Sequence, residues 1–403
     1  MAGTTGASLS SSSSSAPPAP KILLAKPGLV TAGSVAGKFG RPGCGEGAEG
    51  DDISLRSRLP PLGSLNLLSD SWELQIDRFL PFLTDNTEFT VVGVIGPPGV
   101  GKSTIMNELY GSDGSSIGML PHFAIESEEM KSMARHCTIG IEPRISAERI
   151  LLLDTQPVYC SSVLADMMRP DGSSAISAFS GEYPSAELAH ELLSIQLGVF
   201  LASICHILLV VSEGVHDIKM WHLLLTVDLL KHGIPDPSSS SLGSSQLQSS
   251  NLGDRIEEGG EEYSAAPVFV HTKLRPQDLS PHNLGKMRKA LSRCFNTSLF
   301  MRRVHAPASA PDRQDSHLEP CQDFFAIPHK SKEDSLTMLH ESYETMLGKL
   351  RDEVLSMRSP SFARAVTERD WLKNSAKIWE VVRKSVVIAE YAKMLQSSGM
   401  FRR

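Results

Sequence analysis

Much of what classifies this chain is what it lacks. Six cysteines (Cys44, Cys137, Cys160, Cys205, Cys294 and Cys321) include no C-x-x-C pair. That spacing argues against a zinc ribbon or a disulfide scaffold and makes a reducing compartment the natural setting. No apolar run reaches the ~18 residues that a membrane span needs; the best stretch, Ile204 to Val211, is of strand length. A net charge of -7 at pH 7 carries no general nucleic-acid signature. His190, His206, His216 and His222 have no metal-ligand spacing and read as structural histidines.

Residues 1–63 are poor in apolar and rich in Ser, Pro, Gly and Ala residues, with Ser10 to Ser15 unbroken serine. Such a segment cannot bury enough surface to offset chain entropy, so the expectation is disorder. No acidic residue precedes Glu46, as in an organelle transit peptide, but the segment is proline-rich and has no arginine before Arg41. The island Lys21-Ile-Leu-Leu-Ala-Lys-Pro27 reads either as a short docking motif or as a less polar stretch of linker.

The strongest signal lies in residues 89–107. Phe89 to Ile95 is a β-branched apolar run, the pattern of a strand buried on both faces of a parallel sheet. It leads into Gly96-Pro-Pro-Gly99-Val100-Gly101-Lys102-Ser103-Thr104, which satisfies G-x-x-x-x-G-K-[ST], and helix-compatible sequence follows. Glycines let the backbone curl so that its N–H groups surround a phosphate, and the helix start adds its positive dipole end. Lys102 can reach terminal phosphates, and the Ser103 hydroxyl can ligate Mg²⁺. A Gly-Pro turn matching by chance would lack the flanking strand and helix.

Two further β runs, Cys137 to Ile141 and Arg149 to Asp154, lie close in sequence across a turn from Pro143 to Glu148 and should pair as an antiparallel hairpin. Asp154 closes the second run about fifty residues after the loop, where a Walker-B-type carboxylate would hold Mg²⁺ through water. An ordinary strand-terminal aspartate has the same pattern. Thr138 stands where small GTPases place the threonine that senses the γ-phosphate; a β-branched residue opening a strand would look alike. Thr272-Lys273 follows another strand, at the place of the guanine-reading Asn/Thr-Lys-x-Asp, but the fourth residue is Arg275. Without that aspartate, guanine specificity does not follow.

The remainder alternates in the same way. A helix is expected ahead of the first strand around Trp72 to Phe82. Further helices are expected over Ser185 to Ser203, His216 to Lys231, Pro281 to Phe295 and Ser335 to Ser356, with strands over His206 to Val211, Val268 to His271 and Phe324 to Pro328. Leu188, Leu192, Ile195, Val199 and Ala202 form one apolar helix face; Trp221, Leu224, Leu225 and Leu229 are expected to face inward on the next. Residues 233–263, with many serines and then four glutamates, read as a low-complexity insertion, and Ser245-Gln246 within it has the form of a phosphoacceptor. Thr367 opens a final helical stripe through Leu372, Trp379, Val382, Val386 and Ala389. Residues 364–403 carry nine Lys/Arg against four Asp/Glu. A basic amphipathic helix can meet nucleic acid, membrane or an acidic partner, or pack on its own domain.

The fold class that follows is α/β: a P-loop, G-domain-like NTPase fold with a mainly parallel sheet flanked by helices, a disordered N-terminal tail and a helical C-terminal extension. The divisions are 1–63, 64–360 with the insertion at about 233–263, and 361–403. Crossovers should be right-handed and the ligand should lie at the carboxyl ends of the strands. A working GTPase would carry Asp-x-x-Gly and then a glutamine that positions water. Here Asp154 is followed by Thr155, Gln156 and Pro157, and proline has no N–H for the γ-phosphate.

The loop, the Leu-Asp154-Thr-Gln-Pro157 run, Ser194-Ile-Gln-Leu-Gly-Val-Phe-Leu-Ala-Ser-Ile-Cys-His206, and Lys377-Ile-Trp-Glu-Val-Val-Arg-Lys-Ser385 through Ala389-Glu-Tyr391 together resemble the SMG-nine family. That family supplies the G-domain-like subunit of the nonsense-mediated mRNA decay kinase complex. The resemblance covers roughly residues 64–397. It implies a regulatory subunit, not a metabolic enzyme. It also implies a heterodimer with the SMG-eight subunit through the G-like domains and docking on the pathway's phosphatidylinositol-3-kinase-related kinase, whose phosphorylation of the surveillance helicase the pair restrains.

Gly96, Gly99, Val100, Gly101, Lys102, Ser103, Thr104, Thr272 and Lys273 are the expected nucleotide contacts, and Ser103, Thr138 and Asp154 the expected Mg²⁺ residues. The cofactors are a purine nucleotide, ATP or GTP/GDP, and Mg²⁺. The expected setting is cytoplasmic, with neither membrane nor direct nucleic-acid binding. Two other classes compete: an active P-loop NTPase or small-molecule kinase, and a nucleotide-free scaffold with a vestigial loop.

Overall fold

In a computed structural model of the chain, the apolar run before the glycine-rich loop becomes the central strand of a six-stranded sheet. The structure describes residues 65–68, 72–111, 121–133, 135–168, 185–239, 242, 262–298, 324–330, 341–357 and 360–399, all within the unit Pro61–Arg403. The tail 1–63, with its Lys21 to Pro27 island, lies outside the described residues, as does Ser245-Gln246.

The strands are β1 (Thr90–Ile95), β2 (Ile141–Ile145), β3 (Ile150–Thr155), β4 (Ile207–Glu213), β5 (Ala266–Leu274) and β6 (Phe324–Pro328). Their order is β2-β3-β1-β4-β5-β6, and only β2 is antiparallel to its neighbour. From β1 the chain first builds β3 on one side and then β4 on the other. The carboxyl end of β1 is therefore the topological switch point, where open α/β sheets bind ligands.

The helices are α1 (Lys102–Tyr110), α2 (Glu128–Ser132), α3 (Ser161–Met167), α4 (Ala186–Ile204), α5 (Ile218–Leu230), α6 (Pro281–Phe295), α7 (Tyr343–Ser356), α8 (Glu368–Arg383) and α9 (Val386–Ser397). Alternation along each strand divides the core between the two faces. Val92 and Val94 of β1 and Leu209 and Val211 of β4 pack with Ile105, Met106 and Leu109 of α1 and Leu347 and Leu350 of α7. Val91 and Ile95, with Leu208 and Val210, face the larger cluster, which includes α4, α5, α6, α8 and α9.

The long α4 starts at Ser185, whose side chain accepts from Leu188 N at 3.2 Å. Only Ala186, Glu187 and Glu191 along it escape burial, so its apolar pattern is a cylinder and not the single face expected. Among the described residues, α4 alone has the length and apolar composition of a membrane span, and it packs against β1, α3, α5, α8 and α9.

Several expectations shift. Trp72 to Phe82 forms no helix beyond a 3-10 turn at Leu80–Phe82; Trp72 instead has φ 58 and packs on Trp379. The strand expected from Cys137 begins at Ile141 and runs through Pro143, where a turn is expected. As an edge strand, β2 can spare the N–H that proline lacks. On α5, Leu229 is 69% exposed; Met220, Leu223, Leu224, Val227 and Leu230 face inward.

The C-terminal stripe is two helices, because Ser385 caps the second by accepting from Ile388 N at 3.4 Å. Its apolar face packs on α4: Trp371 Nε1 donates to Ile204 O at 2.8 Å, and the Trp379 ring lies 5.1 Å from that of Phe200.

Candidate functional site

The loop leaving β1 has the geometry that its glycines permit. A Cβ on Gly96 would stand 2.2 Å from Val211 O, so only glycine lets β1 end beside β4. Gly99 and Gly101 have φ of 73 and 93, and a Cβ on either would meet nothing within 4 Å. The loop backbone is thus bare on its outer side. Gly101 then precedes α1, whose first amides point toward the loop with the positive end of the helix dipole.

Lys102, the first residue of α1, is buried, and its Nζ donates to Pro97 O at 2.9 Å. Burial pulls its pKa down to about 8, opposed by the charge of Asp154. Such a cation, held in low dielectric beside bare amides, is a site for an anion.

At the end of β3 the Asp154 side chain is wholly buried. Its Oδ2 accepts from Ser103 Oγ at 2.7 Å and from Thr138 Oγ1 at 2.8 Å. Its Oδ1 has no hydrogen-bond partner among the described residues. Burial pushes the carboxyl above its usual range, against the Ser103 hydrogen bond and the charge of Lys102.

An unpartnered carboxylate oxygen beside two hydroxyls is an all-oxygen donor set, which fits Mg²⁺ and not a thiolate- or imidazole-seeking metal. Among the described residues no cluster of three or more His, Cys, Asp or Glu could hold a metal. A metal here would complete its shell with water and phosphate oxygens, as Mg²⁺ commonly does.

Two cavities flank the loop. The first, about 150 Å³, is lined by Gly99, Gly101, Lys102, Ser103, Thr104 and Thr138, with His136, Thr155 and Pro157 on its wall. The second, about 170 Å³, shares Gly99 and Gly101 and is bounded by Val100, Thr272, Lys273, His329, Lys330 and Tyr343. None of the described residues lining it is Asp or Glu.

Thr272 carries its hydroxyl to Val100 O at 2.9 Å, so it braces the loop from behind. Lys273, at φ 57, donates to Glu213 Oε2 at 2.7 Å. Arg275, where a guanine-reading aspartate would stand, turns its guanidinium to Asp278 at 3.3 Å. The expected residues therefore gather around one loop but divide between its two sides.

Three contacts carry no sequence motif. Gln156 Oε1 accepts from Gly140 N at 3.0 Å while Gln156 N donates to Gly140 O at 2.8 Å, a two-point clasp. Val158 N donates to Gly96 O at 3.1 Å. His136 Nδ1 lies 2.7 Å from Ser162 Oγ, which is itself 3.0 Å from Cys160 Sγ. Burial lowers the His136 pKa, with Asp166 pulling it the other way. Gly96 and Gln156 lie in motifs read above; for His136, Gly140, Val158, Cys160 and Ser162 the signal is nearness in sequence to Thr138 and Asp154.

No protein-family model matches the chain. Among curated proteins, the nonsense-mediated mRNA decay factor SMG9 of Xenopus tropicalis is 28% identical over 353 residues, covering 81% of this chain and 66% of the frog protein. SMG9 of Salmo salar is 27% identical over 354 residues, covering 82% of this chain and 67% of the fish protein. SMG9 of Caenorhabditis elegans is 33% identical over 109 residues, 27% of this chain and 28% of the worm protein. The chain thus spans about two-thirds of the length of the vertebrate relatives that it matches.

Proposed function

We propose that this chain, a relative of the SMG9 decay factors over most of its length, is a nucleotide-binding regulatory subunit in nonsense-mediated mRNA decay and not a metabolic enzyme. The observation that carries the nucleotide reading is Asp154, buried with one oxygen unpartnered and the other on Ser103 and Thr138. That carboxylate stands behind a loop whose amides and buried Lys102 suit a polyphosphate.

In this reading the loop is a P-loop of a G-domain-like fold. The backbone from Gly99 to Thr104 takes the phosphates of a purine nucleotide, and Lys102 turns from Pro97 O to meet their charge. Ser103, Thr138 and Asp154 hold Mg²⁺, Asp154 through water. The metal, when bound, offsets phosphate charge. The base lies in the second cavity, against Lys273, His329 and Tyr343. Among the described residues no carboxylate lines that cavity, so none of them selects guanine over adenine.

Turnover is expected to be weak. Both backbone and side chain of Gln156 are occupied by Gly140, and Pro157 has no N–H to give. The ligand then serves as a structural element. It fixes the segments carrying Thr138 and Asp154 in one arrangement that partners read.

The pathway comes from the relatives' name, and the partners come from the family resemblance. They are the SMG-eight subunit, bound through the G-like domain, and the phosphatidylinositol-3-kinase-related kinase, restrained by the pair in the cytoplasm. Reconstitution tests this. Adding the chain with the SMG-eight subunit should lower helicase phosphorylation by the kinase, and Lys102→Ala should weaken that effect. Equal phosphorylation with and without the chain would overturn the regulatory assignment.

A further inference from the structure

We propose that His136 is the residue by which this site tells a nucleoside triphosphate from a diphosphate, donating an imidazole N–H to the terminal phosphate. The inference rests on the nucleotide reading above. His136 is half-buried and lines the first cavity with Lys102, Ser103 and Thr138. Lys102 and Ser103 stand at the start of α1, where the phosphate chain meets the loop. His136 enters the same cavity from the segment leading to Thr138, the residue expected to meet the γ-phosphate.

The ring is not free to turn. Its Nδ1 is held at 2.7 Å by Ser162 Oγ, at the start of α3. Ser162 Oγ is 3.0 Å from Cys160 Sγ. In the proposed state the Cys160 thiol donates to Ser162 and the Ser162 hydroxyl donates to Nδ1, one of the two proton directions that these distances allow. The neutral ring then carries its hydrogen on Nε2, the nitrogen left for a ligand.

Pro157 gives the reason for such a donor. It lines the same cavity where a backbone N–H would otherwise meet the terminal phosphate, and it has none. His136 supplies a donor in its stead. A hydrogen bond to a phosphate oxygen is charge-assisted and stronger than a neutral one, so one donor is enough to discriminate. The same bond would tie the terminal phosphate to the His136–Ser162 contact, which already joins the segments on either side of Asp154.

The test uses the full chain with Mg²⁺ at fixed pH, titrated in a calorimeter with ADP and with a non-hydrolysable ATP analogue. His136→Ala should lower affinity for the triphosphate about tenfold or more and leave ADP affinity nearly unchanged. His136→Gln, whose amide N–H reaches the place of Nε2, should recover much of the loss, and Ser162→Ala should lose part of it. Melting curves check that each variant folds. A tri- to diphosphate ratio unmoved by His136→Ala, or an equal loss for both ligands, overturns the inference and leaves the nucleotide reading standing. If the wild-type chain binds neither ligand, the nucleotide reading fails and takes this inference with it.

Discussion

Arg149 donates through Nε to Glu368 Oε1 at 2.9 Å, joining the turn between β2 and β3 to the first turn of α8. The Glu368 carboxylate also accepts from Thr84 N at 2.7 Å and Thr84 Oγ1 at 3.0 Å. Its side chain is 0% exposed, whereas that of Arg149 is 34% exposed. Three distant parts of the chain thus meet on one buried charge. Glu368→Ala leaves the Arg149 guanidinium and two Thr84 donors without their acceptor and should lower stability by about 3 kcal/mol. Arg149→Ala should cost at least as much, because it leaves the buried Glu368 carboxylate with the Thr84 donors and no countercharge, whereas the guanidinium left by Glu368→Ala is partly solvated. Urea denaturation of both variants gives the comparison.

The loop glycines should separate by their surroundings. Gly96→Ala drives a methyl into Val211 O and should destabilise the fold by 1 kcal/mol or more, on the order of an overpacked core site. Gly99→Ala meets open space, and its φ of 73 costs roughly 1 kcal/mol of left-handed strain. Its methyl would occupy the bare side of the loop, so its larger effect should be on nucleotide affinity. Melting temperature with and without ligand distinguishes the two outcomes.

The legible part of this fold was local. The run Phe89 to Ser103 reads as strand, loop and helix because β-branched residues, glycines and Lys-Ser-Thr each favour one conformation there. Helix α6 begins where Ser280 and Pro281 mark a start, at the position expected. What failed was set by tertiary context. Pro143 reads as turn until β2 is known to be an edge strand. Trp72 to Phe82 has helix-compatible spacing, but Trp72 is held by Trp379, more than three hundred residues away.

The same holds at the site. Asp154, Ser103 and Thr138, expected to share one Mg²⁺, stand apart in sequence, and the fold brings them within hydrogen-bonding distance. The clasp of Gln156 on Gly140 and the Ser162 hold on His136 depend on how β2, β3 and α3 converge, which no spacing rule encodes.

Acid should weaken the fold through His206. Its Nδ1 accepts from Val91 N at 2.9 Å, its ring lies 4.3 Å from that of Phe362, and burial lowers its pKa to about 4. In the unfolded chain the ring titrates near 6.5. Between those values the unfolded state holds a proton that the folded state does not, so stability falls as pH drops from about 6.5 toward 4. The contribution is on the order of 3 kcal/mol. His206→Asn keeps an acceptor for Val91 N and does not titrate. Its unfolding free energy should be lower at pH 7 and flatter across that window. Half-buried Glu142 and Glu191, whose pKa values are raised by desolvation, act with the opposite sign and cancel in the comparison.

Binding of a nucleoside triphosphate by the purified chain, measured calorimetrically with Mg²⁺ beside Lys102→Ala, tests the central claim most directly. The account predicts saturable one-site binding by the wild-type chain and its loss in the variant. The apo variant should melt no lower than wild type, since burying the Lys102 ammonium costs stability when no anion meets it. A wild-type chain that binds neither ATP nor GTP, or a Lys102→Ala chain that binds as tightly as wild type, would contradict it.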